Sequence, residues 1–298
     1  MKKNIMMIAA SLLLAGCSQN EDWLPAENVI RVEANLPQSS RATLEQFESD
    51  DCMGLYAVAY NEDGTVAPVQ LSGNYLNNEP MTYNGSQWAS GRTLYWSQAA
   101  CDFYGIYPYQ ALKGIDEQLF EVATDQSTVE TQESLGGYEA SDLMWAKTEK
   151  VQPNTTVALQ FKHLMSRLVV KLVKGDKFEG DLPQDIVTHI YNTATIAKVN
   201  YQRGTLEKYV YSDKKTIKMR QTEGNDETAT FDAIMVPQFI EQKTPLIEIT
   251  MGGIAYLLTA ERVSFRPGYV HTYHVILNTS PDQEKVEIQL EGDVSNWN

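Results

Sequence analysis

Apolar and polar residues alternate along much of this chain with a period of two. Ile30, Val32, Ala34 and Leu36 interleave with Arg31, Glu33 and Asn35, which predicts a strand that buries one face and wets the other. Pro37 ends it. The same texture returns where Val157, Leu159 and Phe161 alternate with Ala158, Gln160 and Lys162, and where Leu168, Val170 and Leu172 alternate with Arg167, Val169 and Lys171. Near the C terminus Val286, Ile288 and Leu290 alternate with Lys285, Glu287, Gln289 and Glu291, and Val294 and Trp297 lie beyond. Further strands are expected at 54–60, 94–96, 101–109, 141–146, 193–199, 205–211, 229–235, 246–251, 254–260 and 269–277. Pro108 is expected to confine the end of the 101–109 strand to a sheet edge.

Turn chemistry separates these runs. Asn61-Glu62-Asp63-Gly64 ends in a residue tolerant of positive φ, Asn84-Gly85 joins two aromatic-bearing edges as a hairpin, and Arg266-Pro267-Gly268 launches the long 269–277 strand. Residues 111–150 read as long loops with one or two short strands. Long helical periodicity is missing from the first half, so the fold class is all-β. Val151-Gln152-Pro153-Asn154 reads as a linker between two sandwich domains, 28–152 and 153–298, each long enough to bury a core.

The first residues change the picture. Lys2 and Lys3 precede an apolar run that closes on Leu14-Ala15-Gly16-Cys17, too short to span a bilayer as a permanent helix. It resembles a bacterial lipobox. That resemblance implies a signal peptide over 1–17, a lipid on Cys17, and a mature protein anchored to a membrane through a polar tether at 18–27. Gln38-Ser39-Ser40-Arg41-Ala42-Thr43 is an exposed polar segment of the kind a protease binds as extended backbone.

Charge and candidate chemistry then narrow the function. With 24 basic and 39 acidic residues, a formal charge of −15, the surface repels nucleic acid. Cys52 and Cys101 are either a disulfide or two small buried hydrophobes. Catalytic signatures are wanting, and neither an enzymatic activity nor a cofactor is expected. His271 and His274 point to opposite faces of one strand and share no metal, while His163 and His189 read as hydrogen-bonded structural residues. Ser212-Asp213-Lys214-Lys215 has the Ser-x-x-Lys spacing without its companion motifs. Asp50-Asp51 and Asn61-Glu62-Asp63 read as turns in preference to calcium loops.

Gly54-Leu55-Tyr56, Leu94-Tyr95-Trp96, Asp102-Phe103-Tyr104-Gly105-Ile106-Tyr107-Pro108-Tyr109, Ser141-Asp142-Leu143-Met144-Trp145-Ala146, Phe161-Lys162-His163-Leu164-Met165-Ser166-Arg167-Leu168 and Pro267-Gly268-Tyr269-Val270 form an ordered set. In order and spacing it resembles the fimbrillin family of Bacteroidetes over nearly the whole chain. The resemblance implies two transthyretin-like Greek-key β-sandwich domains and a subunit of a surface fimbria, carried to the outer membrane as a lipoprotein. It also implies an arginine-specific protease that removes the first strand, and a neighbouring fimbrial subunit whose C-terminal strand fills the gap. Arg41, followed by Ala42, sits where such a cut is expected.

The alternation agrees with that scheme. A cut after Arg41 releases the strand bearing Ile30, Val32, Ala34 and Leu36 and leaves apolar pockets at every second residue, which another alternating strand fits. Val286, Ile288 and Leu290 form the apolar face of the candidate donor. Two alternatives stand beside this reading. The C-terminal strand completes its own domain, or the chain is a stand-alone surface lipoprotein that uses Trp23, Trp88, Trp96, Trp145 and Trp297 to stack on a glycan or another host or bacterial surface ligand.

Overall fold

The computed structural model describes residues 28–36, 47–131, 134–278 and 288–297. Among them the first half forms β1 (Arg31–Asn35), β2 (Cys52–Ala59), β3 (Leu76–Tyr83), β4 (Trp88–Ser90), β5 (Cys101–Tyr107), β6 (Gln118–Glu121) and β7 (Met144–Val151). The second forms β8 (Thr156–Gln160), β9 (Lys162–His163), β10 (Ser166–Lys174), β11 (Val187–Ala194), β12 (Ile196–Asn200), β13 (Thr205–Lys208) and β14 (Lys214–Lys218). It continues through β15 (Arg220–Gly224), β16 (Thr228–Met235), β17 (Gln238–Ile240), β18 (Pro245–Met251), β19 (Ile254–Thr259), β20 (Val263–Phe265), β21 (Tyr269–Leu277) and β22 (Ile288–Asn296). The fold is all-β, with one short 3-10 turn at Glu139–Ser141.

Strands apolar on both faces take the middle of a layer. β2 and β5 are buried along nearly their whole length, and they are the central strands of a six-stranded sheet ordered β4-β3-β2-β5-β7-β9. On one face Met53, Leu55, Ala57, Phe103, Met144 and Ala146 share a core with Ile30, Val32, Val157, Leu159 and Phe161. Gly105 lies on this face because a Cβ there would come within 2.7 Å of the Phe161 ring. On the other face Tyr56, Val58, Tyr104, Ile106 and Trp145 join the core of the second half. Burial on both faces explains why these strands read as continuous apolar runs.

The second half layers a five-stranded sheet, β15-β16-β10-β21-β22, against a four-stranded one, β14-β11-β18-β19. Leu168, Val170, Leu172, Phe231, Val275 and Leu277 from the first, with Ile190, Ile217, Ile247 and Ile249 from the second, belong to one continuous core. β10 and β21 run parallel, whereas β21 and β22 run antiparallel. The chain crosses the expected linker in both directions. β8 pairs in parallel with β1, and β6 pairs with β12.

Several local expectations change. Pro108 lies just past the end of β5, so a central strand is compatible with it. The strand expected at 141–146 begins only at Met144, because Ser141 closes the 3-10 turn by donating to the Gly137 carbonyl at 2.6 Å. The 193–199 run breaks at Thr195, whose N–H donates to Ser212 Oγ at 3.1 Å instead of a neighbouring strand. Asn61 to Gly64 is a closed turn, with the Gly64 N–H on the Asn61 carbonyl at 2.9 Å. Cys101 stands opposite Ala59 while Cys52 begins the same strand, a separation of roughly 23 Å along it, so the two thiols are free.

Candidate functional site

β1 packs on the apolar face of the six-stranded sheet and is laddered to β8 alone. Residues 31–35 pair in parallel with β8, from Arg31 opposite Thr156 to Asn35 opposite Gln160. Just upstream, the Ile30 N–H donates to the Leu94 carbonyl at 2.8 Å and the Trp96 N–H to the Asn28 carbonyl at 2.9 Å. Ile30 and Val32 are buried, Ala34 and Leu36 are half-buried against the same core, and Arg31, Glu33 and Asn35 face solvent. Alternation in the sequence thus becomes one inserted apolar face.

The described chain resumes at Phe47, whose ring packs edge-on against Trp88 at 4.9 Å, Tyr107 at 5.5 Å and Phe161 at 5.6 Å. Beside it the Tyr107 hydroxyl donates to Asp51 Oδ1 at 2.6 Å. Burial raises the pKa of both groups, and for Tyr107 the Asp51 carboxylate adds to the rise. Phe47 thus packs against the same core that receives Ile30 and Val32 of β1.

A second feature ends at Trp297. β22 pairs antiparallel with β21 over its full length, from Leu277 opposite Ile288 to Tyr269 opposite Asn296. It is the outer strand of its sheet, and residues 291–296 are all exposed. Trp297 then turns inward and is buried, stacked on the His163 ring at 3.6 Å with an interplanar angle of 8°. His163 is itself buried, with Nδ1 at 2.8 Å from Asp142 Oδ1. Backbone bonds complete the clamp, from the Trp297 N–H to the Gly268 carbonyl at 2.9 Å and from the Gly268 N–H to the Met165 carbonyl at 2.8 Å.

The Arg167 guanidinium lies 6.0 Å from the Trp297 ring. Its Nη2 bonds Asp232 Oδ2 at 2.6 Å, and Arg220 Nε bonds the other oxygen of that fully buried carboxylate at 2.8 Å. Asp142, His163, Arg167 and Gly268 come from three separate aromatic-rich stretches of sequence. Their convergence around the last aromatic residue is a tertiary fact that spacing along the chain did not reveal.

The other expected positions fall as follows. Backbone pairing places Ile288 and Leu290 on β22. Cys17, Arg41, Ala42 and Val286 lie outside the described residues, as does Trp23. Trp88, Trp96, Trp145 and Trp297 are buried, so they offer no exposed stacking platform. Groups of three or more metal-ligating side chains do not occur among the described residues.

The Fimbrillin-like family profile matches residues 40–297. A candidate fimbrium tip subunit of Bacteroides ovatus, Fim1C, is 28% identical over 195 residues, covering 56% of this chain and 35% of that protein. The chain thus spans about a third of that relative's length. A crystal structure of a candidate cell adhesion protein from Bacteroides ovatus superposes with a TM-score of 0.69 at 14% identity, covering 92% of this chain and 99% of that one. Another from Bacteroides uniformis gives 0.62 at 20% identity, covering 92% and 100%. With a profile match that runs from the segment after β1 to Trp297, the chain belongs to the fimbrillin-like family.

Proposed function

We propose that this chain is a subunit of a cell-surface fimbria that contributes to adhesion and assembles by exchanging strands with its neighbours. Two transthyretin-like Greek-key sandwiches, 28–152 and 153–298, form the body, and a lipid on Cys17 delivers it to the outer membrane. An arginine-specific protease cuts between Arg41 and Ala42, β1 leaves, and the alternating C-terminal strand of another subunit, with Val286, Ile288 and Leu290 inward, enters the vacated seat. Family membership and the likeness to Fim1C support a fimbrial role.

One observation carries the reading. β1 inserts its whole apolar face into a core that is otherwise closed by residues downstream of 46, yet β8 is its one ladder partner among the described residues. Burying Ile30 and Val32 contributes about 1.5–3 kcal/mol each, so an empty seat is costly and a replacement strand is favoured. β22 suits the donor role because it is the outer strand of its sheet, paired with β21 alone.

The test is digestion of the purified chain with an arginine-specific protease, followed by an unboiled denaturing gel. A ladder of multiples is expected after digestion, absent from Arg41→Ala and from a triple aspartate variant at Val286, Ile288 and Leu290 that remains folded. A chain cut near residue 41 that stays monomeric, or a ladder formed by the triple variant, refutes the mechanism. An adhesin that does not polymerise would then be the better description.

A further inference from the structure

Lysines along β12 and β14 are paired, with one exception. Lys198 meets Glu207 at 2.8 Å, Lys215 meets Glu121 at 2.6 Å and Lys218 meets Asp125 at 3.9 Å. Lys214, at the start of β14, enters no ion pair among the described residues, and neither does Lys208 at the end of β13. Both line one cleft of about 170 Å³, together with Asn192, Phe239, Glu241 and Thr244.

Other side chains hold the walls of this cleft. Ser212 Oγ accepts the Thr195 and Ile196 N–H groups at 3.1 Å each, and Gln238 accepts the Ala194 N–H at 3.0 Å while donating to the Ala194 carbonyl at 3.1 Å. Asn192 donates from Nδ2 to the Pro245 carbonyl at 2.7 Å, which leaves its side-chain oxygen free to accept. The side chains of Glu241 and Thr244 enter no hydrogen bond among the described residues. Beside these unused donors and acceptors lies the Phe239 ring, 45% exposed. The Ser212 N–H on the Tyr209 carbonyl at 3.0 Å closes a turn between Lys208 and Lys214, and its middle residues, Val210 and Tyr211, are 76% and 79% exposed. Turn centres favour glycine, asparagine and aspartate. An apolar pair there buries nothing for the fold, and exposed loop residues of this kind serve recognition.

We propose that this cleft binds the terminal unit of an acidic saccharide, a sugar ring that carries a carboxylate. Two ammonium groups against the one carboxylate of Glu241 make the cleft locally positive on a chain that carries −15. It therefore attracts an anion that the rest of the surface repels. Lys208 and Lys214 would donate charge-assisted hydrogen bonds to the ligand carboxylate. Ring hydroxyls both donate and accept, which suits Asn192, Glu241 and Thr244, and the apolar face of a sugar ring suits an exposed aromatic. Pockets that enclose a drug-sized ligand measure about 300–1,000 Å³, so this smaller cleft takes one end unit and leaves the remaining units outside. The inference rests on the adhesive part of the reading above and needs neither a cut at Arg41 nor strand exchange.

Titration of the purified, uncut chain, followed by amide chemical shifts, tests it. Sialyllactose and trigalacturonic acid are the acidic probes, with lactose and galactotriose as their neutral counterparts. At least one acidic probe should bind saturably, with a Kd about tenfold or more below that of its counterpart. Lys208→Gln combined with Lys214→Gln should raise that Kd by about tenfold, and Phe239→Ala by about threefold or more. Lys171→Gln, an exposed lysine on β10, should leave it unchanged. All these side chains are exposed, and circular dichroism checks that each variant folds. Absence of saturable binding, equal affinity for acidic and neutral probes, an unchanged Kd in the double lysine variant, an equal loss in Lys171→Gln, or shifts centred away from 208–214 and 238–244 overturns the assignment. A chain that binds in this way yet never polymerises supports the cleft and counts against strand exchange alone.

Discussion

Trp297→Ala separates the two forces that hold the chain end. β22 forms nine residues of antiparallel ladder with β21. Each ladder hydrogen bond contributes about 0.5–1.5 kcal/mol net, while fixing each residue's backbone costs about 1–2 kcal/mol. Those contributions nearly cancel, and residues 291–296 add no buried apolar surface. Beyond Leu290 the buried side chain is Trp297, which is 4% exposed, stacked on His163 and beside Arg167. Truncating a buried tryptophan to alanine typically costs about 3–5 kcal/mol. If that energy holds the strand locally, the opening equilibrium of β22 shifts by about two to three and a half powers of ten. Hydrogen exchange read amide by amide measures this directly. Protection along β22 should fall by that factor, the core strands β10 and β16 should change little, and Trp297→Phe should recover part of the loss. Unchanged protection in β22, or an equal loss of protection in every strand, refutes the local-latch argument.

Other outcomes follow from single contacts. Asp232→Ala leaves two arginines facing a buried site without their carboxylate and should cost about 3–5 kcal/mol in chemical denaturation, whereas Asp232→Asn keeps part of the hydrogen bonding and should cost less. His271 is buried against Phe265 at 4.6 Å, and burial, followed by nearby Arg266, lowers its pKa from 6.5 to about 4. The unfolded chain binds that proton near pH 6.5 and the folded chain does not until about pH 4. Stability should therefore fall as pH drops through this window, by about 3 kcal/mol at the acid end. His271→Leu should flatten the profile, and parallel denaturation profiles for the two proteins would count against a neutral buried imidazole. Gly204→Ala should cost about 2–4 kcal/mol, because φ is +61° and a Cβ would sit 2.2 Å from the Trp145 ring. Thermal unfolding of that variant, with Trp145 fluorescence as the reporter, checks it.

What the sequence by itself determined is the all-β fold and the identity of many strands. Period-two alternation depends on local geometry alone, since successive side chains of a strand point to opposite faces wherever the strand lies. That is why Ile30 and Val32 could be assigned to a buried face and Tyr269–Leu277 to a long strand. Family resemblance was legible for a related reason, as turn residues and aromatic strands recur in fixed order. Tertiary structure decided which strands meet. Nothing in the alternation of Val157 and Leu159 says that β8 lies beside β1, because partner choice depends on which apolar faces close one core. Nor does spacing join Asp142, His163, Gly268 and Trp297, which are far apart in the chain and become neighbours only when β9, β21 and β22 have been placed. Whether an apolar strand is central or on the edge was also settled in three dimensions. β5 and β19 are both largely uncharged, yet β5 is walled in by β2 and β7, while β19 is the outer strand of its sheet and pairs with β18 alone.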